Sequence, residues 1–89
     1  MATHKSAVKR ARQALRRRAR NRQVRSRVRS AVKVVRDAVA SHKPAEALES
    51  LRLAEGLLRR AASKGVIPKK RASRQVSRLA RSCKVVAST

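Results

Sequence analysis

Between Val24 and Val39 the apolar residues return every three or four positions, at Val24, Val28, Ala31 or Val32, Val35 and Ala38 or Val39. This is the period of an α-helix that buries one stripe. Toward the N-terminus the stripe thins to Val8, Ala11, Leu15 and Ala19, and Arg16, Arg17, Arg18, Arg20 and Arg22 nearly encircle the same helix. The pattern predicts a first helix from Ser6 to about Ala40 whose C-terminal half packs and whose N-terminal half does not. Ser6 is placed either to cap that helix or to bind a phosphate.

Ser41, His42, Lys43 and Pro44 form the first break. Proline suits the opening position of a new helix, where its missing N–H costs nothing. Glu46 and Glu49 follow in the first turns, where negative charge complements the helix dipole. Ala47 or Leu48, Leu51, Ala54 or Glu55, Leu58 and Ala61 or Ala62 trace the core face of this second helix, and Leu53 and Leu57 widen it. Arg59, Arg60 and Lys64 occupy its last turns, and Gly65 is placed as a left-handed stop with Val66 packing back on the helix.

Val66, Ile67 and Pro68 connect to a third helix, predicted from Pro68 or Lys69 to Val85 or Val86. Ala72, Val76, Leu79, Cys83 and Val86 fall in one narrow sector, with Arg71, Arg74, Arg78 and Arg81 opposite. No alternating strand pattern occurs. The fold class expected is all-α: a three-helix antiparallel bundle with a long N-terminal helix projecting beyond it. Residues 1–89 are read as a single domain, with 1–22 the basic extension and 23–89 the bundle.

Charge changes what this small bundle can be for. From Met1 to Arg36 there are fourteen Lys or Arg and no acid. From Asp37 to Leu58 four acids stand against Lys43 and Arg52, and from Arg59 to Thr89 there are ten bases and again no acid. The net charge is +22 on 89 residues. Self-repulsion of that size opposes folding, while the same field attracts phosphates. A solvated helix face would interleave acids and bases in i to i+4 pairs, and both basic blocks lack acids to pair with. A membrane-active helix would present Trp, Phe or Leu to lipid, where the N-terminal segment offers chiefly Ala.

Composition narrows the partner further. The chain has no Phe, Tyr or Trp, so bases cannot stack on aromatic rings as they do on RRM sheets and OB-folds. A wide pocket for a small-molecule substrate is equally unexpected in so thin a core. Arg outnumbers Lys eighteen to eight, a ratio that favours bidentate phosphate contacts and that a GC-rich coding bias would also produce. A helix with bases around most of its circumference suits a crevice between several backbone segments, as folded RNA provides. A reader of duplex DNA concentrates its contacts on one face and uses Asn or Gln on base edges. Only Gln13, Asn21 and Gln23 are available on the first helix. Helix geometry and charge make Arg12, Arg16, Arg17, Arg18, Arg20, Arg22, Arg25 and Arg29 candidate RNA-binding residues. Repulsion also predicts that residues before about Arg22 are disordered in the free protein and become helical on binding.

No catalytic, cofactor or metal site is expected. The four acids do not combine with a nucleophile and a base, no Gly-rich phosphate loop is present, and His4 and His42 are isolated. Cys83 is in phase with the core stripe, so a buried small hydrophobe is expected there, and a single cysteine fits a reducing, cytoplasmic setting. Neither a secretory signal nor a membrane span is evident.

One segment carries a family likeness. Ala62-Ser63-Lys64-Gly65-Val66-Ile67-Pro68-Lys69-Lys70-Arg71-Ala72-Ser73-Arg74 with Ser77-Arg78-Leu79, together with Met1-Ala2, Lys5-Ser6-Ala7 and Lys9-Arg10, resembles the bacterial small-subunit ribosomal protein family S-twenty. Length, three helices and the acid-containing middle helix agree. Thr3 and Pro68 depart from the residues common in that family, Asn and His, without touching the bundle. The resemblance implies a protein of the small ribosomal subunit that binds 16S rRNA at its 5′ domain and near the penultimate helix. Lys5, Lys9 and Arg10 would then belong to an N-terminal contact region, and Lys64, Lys69, Lys70, Arg71, Arg74 and Arg78 to a second. No membrane, small-molecule substrate or obligate homo-oligomer is expected. The alternative from another class is a nucleoid-associated protein that compacts DNA in the manner of a linker histone, although such proteins carry Lys-Ala-Pro tails that this chain lacks.

Overall fold

The computed structural model describes the backbone of residues 2–88 and side chains from His4 onward; Met1 and Thr89, the two ends of the expected domain, lie outside the described residues. Three helices account for nearly all of it: α1 over Ala2–Ala40, α2 over Pro44–Ser63 and α3 over Lys69–Ser88. The first begins at Ala2 and not at Ser6, so Ser6 lies inside the helix and is not its cap. It is also continuous through the stretch before Arg22 that charge alone marks for disorder.

Both turns close in the same way. After α1, the His42 amide donates to Val39 O at 3.1 Å and Lys43 to Ala38 O at 3.0 Å; after α2, Gly65 donates to Ala62 O at 3.0 Å and Val66 to Ala61 O at 2.9 Å. Each is the paired hydrogen-bond pattern of a Schellman stop, which needs one residue in the left-handed region. Gly65 supplies it at φ 77° and His42 at φ 54°. Glycine was the visible signal; a histidine in that conformation was not. α2 restarts at Pro44 with no side-chain cap on Lys43, and Ala47 donates to Lys43 O at 2.9 Å.

Short turns fold the helices up, down and up, so α1 and α3 run parallel on one side of the bundle. The core joins Val28, Val32, Val35 and Ala38 of α1 to Ala47, Leu51, Ala54, Leu58 and Ala61 of α2 and to Ala72, Leu79 and Cys83 of α3. On α2 the buried residues follow a 4-3-4-3 spacing, which lets helices mesh at a shallow angle. Alanine at every second core position of α2 brings the backbones close. Cys83 reaches across to Ala47, its Sγ 3.6 Å from the carbonyl oxygen. Buried Ser50 satisfies its hydroxyl on Glu46 O at 2.8 Å and Ala47 O at 3.1 Å within its own helix.

Leu53 does not widen the core. It is 68% exposed and Leu48 50% exposed, because Leu53 lies roughly 120° from the centre of the packed face at 100° per residue. Ala47 and Ala54, and not Leu48 and Glu55, fill those core positions. Burial on α1 starts at Asn21 and Val24, and everything from His4 to Arg20 is exposed. At 1.5 Å per residue α1 is about 58 Å long, which accounts for an overall extent of 68 × 21 × 14 Å.

Two glycines, one inside α2 and one in the turn after it, give opposite expectations for one substitution. A Cβ on Gly56 would meet only the end of Arg60, at 3.8 Å, so Gly56→Ala should stabilise by about 0.5–1 kcal/mol. Gly65→Ala should destabilise by about 1 kcal/mol through its left-handed φ alone. Leu58→Ala, at a fully buried site, should cost about 2–5 kcal/mol. Urea titration of the three variants checks the signs; an unchanged midpoint for Leu58→Ala would misplace the core.

Candidate nucleic-acid interface

The packing that buries one face of α1 fixes where its arginines go. Arg18, Arg22, Arg25, Arg29 and Arg36 are spaced at four, three, four and seven residues, a stripe on the flank of α1 beside its core face. On α3 the 4-3-4-3 core stripe leaves Arg71, Arg74 and Arg78 on the flank turned to α1. The two rows border one crease. Its lower part is lined by Arg25, Val28 and Arg29 of α1, by Val66, Ile67 and Pro68 of the turn, and by Arg71 and Gln75 of α3. Its upper part is lined by Arg36 from α1 and by Arg71, Arg74, Gln75, Arg78, Leu79 and Ser82 from α3.

The candidate residues therefore separate into three places. Lys5, Lys9, Arg10, Arg12, Arg16, Arg17, Arg18 and Arg20 lie on the projecting part of α1, all exposed, on several sides of the helix. Arg25, Arg29, Arg71, Arg74 and Arg78 meet at the crease, with Arg22 one turn beyond it. Lys64, Lys69 and Lys70 cluster at the turn between α2 and α3, and Lys69 faces a different groove with Arg59, Ser63, Ser73 and Ser77. Arg36 was missed by sequence reasoning. Extending the arginine stripe one heptad past Arg29 would have found it.

No acid lines the crease. Asp37 and Glu46 border a groove between α1 and α2, and Glu55 pairs with Arg59 at 2.6 Å on α2. Lys43 and Glu46 form the other ion pair among the described residues, at 3.9 Å. Among the described residues no crease arginine has an acidic partner. Burial raises the Cys83 thiol above its ordinary pKa, which keeps it protonated and inert in the core. Among the described residues no group of three His, Cys, Asp or Glu is placed to hold a metal, and no helix is long and apolar enough to cross a membrane. What the arrangement offers is donors and positive charge: guanidinium forks for phosphate oxygens, with few groups to read base edges.

Residues 2–84 match the family model described as Ribosomal protein S20. The chain is 51% identical over 81 residues to small ribosomal subunit protein bS20 of Desulfovibrio desulfuricans, with 91% of each chain covered. It is 54% identical over 81 residues to small ribosomal subunit protein bS20 of Anaeromyxobacter sp. strain K, covering 91% of this chain and 89% of the relative. With the protein of the same name from Helicobacter pylori strain Shi470 it shares 47% identity over 87 residues, covering 98% of both.

Unpaired like charge makes a prediction about the free protein. Screening should stabilise it: as the Debye length contracts from about 30 Å at 0.01 M salt to about 3 Å at 1 M, the melting temperature should rise. A fall over that range, measured by circular dichroism, would mean that ion pairs and not repulsion dominate its electrostatics.

Proposed function

The chain belongs to the ribosomal protein S20 family, and from that membership we propose that it binds 16S rRNA directly, through phosphate contacts of its basic helices, and supports assembly of the small subunit. Membership makes it a structural, non-enzymatic constituent of the small ribosomal subunit, and hence cytoplasmic within the ribosome. The finer reading, direct phosphate contact with rRNA, rests chiefly on one observation: basic residues gather on the α1 extension, in the α1–α3 crease and at the α2–α3 turn, while no acid lines the crease.

Geometry explains how such a protein would act. The bundle is a rigid block carrying arginines on a fixed crease, and the α1 extension reaches roughly 30 Å beyond it at 1.5 Å per residue. Bases on several sides of that extension suit RNA segments approaching from different directions, whose phosphates would otherwise repel each other. By neutralising both, the helix holds them together. The 5′ domain and the penultimate-helix region of 16S rRNA are the segments we propose, and the protein acts as a single copy. Family membership displaces the DNA-compacting alternative, which no feature of the crease favours.

A competition titration tests this reading. In about 0.3 M salt, where phosphate-only binding is weakened, labelled 16S 5′-domain transcript should stay bound against excess tRNA and duplex DNA. Equal competition by duplex DNA would reduce the protein to a general polyanion binder. If eight to twelve phosphates are engaged, log K against log salt should have a slope of about −6 to −10.

A further inference from the structure

We propose that the α1–α3 crease is a clamp for one RNA backbone ridge, with its arginines on the phosphates and Gln75 on a ribose 2′-hydroxyl. This rests on the rRNA-binding reading and assigns part of that binding to a particular place.

Arg71 and Gln75 line both halves of the crease, so it is one continuous channel. Because α1 and α3 run parallel, the rows Arg25, Arg29, Arg36 and Arg71, Arg74, Arg78 advance together. They span about 16 Å and about 10 Å at 1.5 Å per residue. Helices in contact have axes about 8–10 Å apart, so the crease between them admits one backbone and not both strands of a duplex. A free strand or one edge of a duplex can supply that ridge. The floor includes Val28 and Leu79, at 4% and 5% exposure, and an apolar floor strengthens charge–charge attraction by excluding water.

Six guanidinium groups can only donate hydrogen bonds. Gln75 is different. It is half-buried at the middle of the channel, and its side chain makes no hydrogen bond to another described residue. Its carbonyl can accept from a 2′-hydroxyl and its amide can donate to one, a pairing that DNA does not offer. Ser82 carries the one hydroxyl among the lining residues, and its Oγ already donates to Arg78 O at 3.2 Å.

The test uses the full-length protein and three probes: a short oligouridylate, its deoxy counterpart, and a short RNA duplex. Arginine side-chain NMR signals locate each, and fluorescence titration gives affinities. Signals of Arg25, Arg29, Arg36, Arg71, Arg74 and Arg78 should shift together with the oligouridylate, the duplex or both, the pattern showing which source supplies the ridge. Arg36→Gln with Arg71→Gln should lower the salt slope by about 1.4 for two lost single-strand phosphates, while Arg52→Gln with Arg60→Gln, equal in charge, should leave it nearly unchanged. Both pairs of substitutions relieve repulsion, so neither should lower the melting temperature. Gln75→Leu should bring ribose and deoxyribose affinities level from an initial preference for ribose. Equal loss from the two arginine pairs, crease signals that do not move with either RNA, or an unaltered ribose preference in Gln75→Leu would overturn the clamp. Crease variants that hold the 5′-domain transcript as wild type does would sink the clamp and leave the ribosomal reading intact. Failure to prefer that transcript over DNA would sink the reading itself.

Discussion

Repulsion among like charges is the condition to which every part of this molecule answers. A net charge of +22 on 89 residues works against any compact state. The core opposing it is built largely from Ala and Val, with Leu51, Leu58 and Leu79 its largest buried side chains. Surface ion pairs contribute little at best, and the two described here involve residues at the start and near the end of α2. Helix packing alone therefore holds the bundle together, and it does so only where apolar residues recur often enough on all three helices. Where the stripe on α1 gives way to arginine, packing stops and the helix continues without neighbours.

That limit is what creates the interface. Within the bundle each helix buries a narrow sector, so charged residues are displaced from it, and the flanks of α1 and α3 lie side by side. Two arginine rows then border a crease without having been drawn there by each other. α2 has the most apolar core face and carries three of the four acids. It separates the acidic and mixed grooves from the α1–α3 side, leaving the crease free of negative charge. Function follows from the same segregation: a phosphate backbone supplies the counter-charge that the fold omits.

Much of this was legible in the residues. Period and spacing marked three helices and most of the core, and Gly65 marked the second stop because glycine is the ordinary residue for a left-handed position. His42 gave no such signal, since its conformation is imposed by closing the turn before Pro44. Leu53 misled because its hydrophobicity outweighed its phase: on a narrow helix–helix contact a leucine far off the centre stays in water. Charge and helix geometry marked the candidates from Arg12 to Arg29 on α1, and the family resemblance those on α3, but their convergence was not visible. It depends on the parallel run of two helices that do not adjoin in sequence; Arg36 was within reach of the arginine stripe on α1, but its place opposite Arg71 and Arg74 was not.

Amide hydrogen exchange, read by mass spectrometry on the free protein and on its complex with the 16S 5′-domain transcript, tests the division between packing and charge most directly. Residues with no tertiary partner hold their helix only by local hydrogen bonds and should exchange fast. The expected result is protection over α2, α3 and the part of α1 from Val24 to Ala40 in the free protein, with protection spreading through His4 to Arg20 once RNA is bound. An extension as protected as the bundle before RNA is added, or one that RNA leaves unchanged, would contradict it.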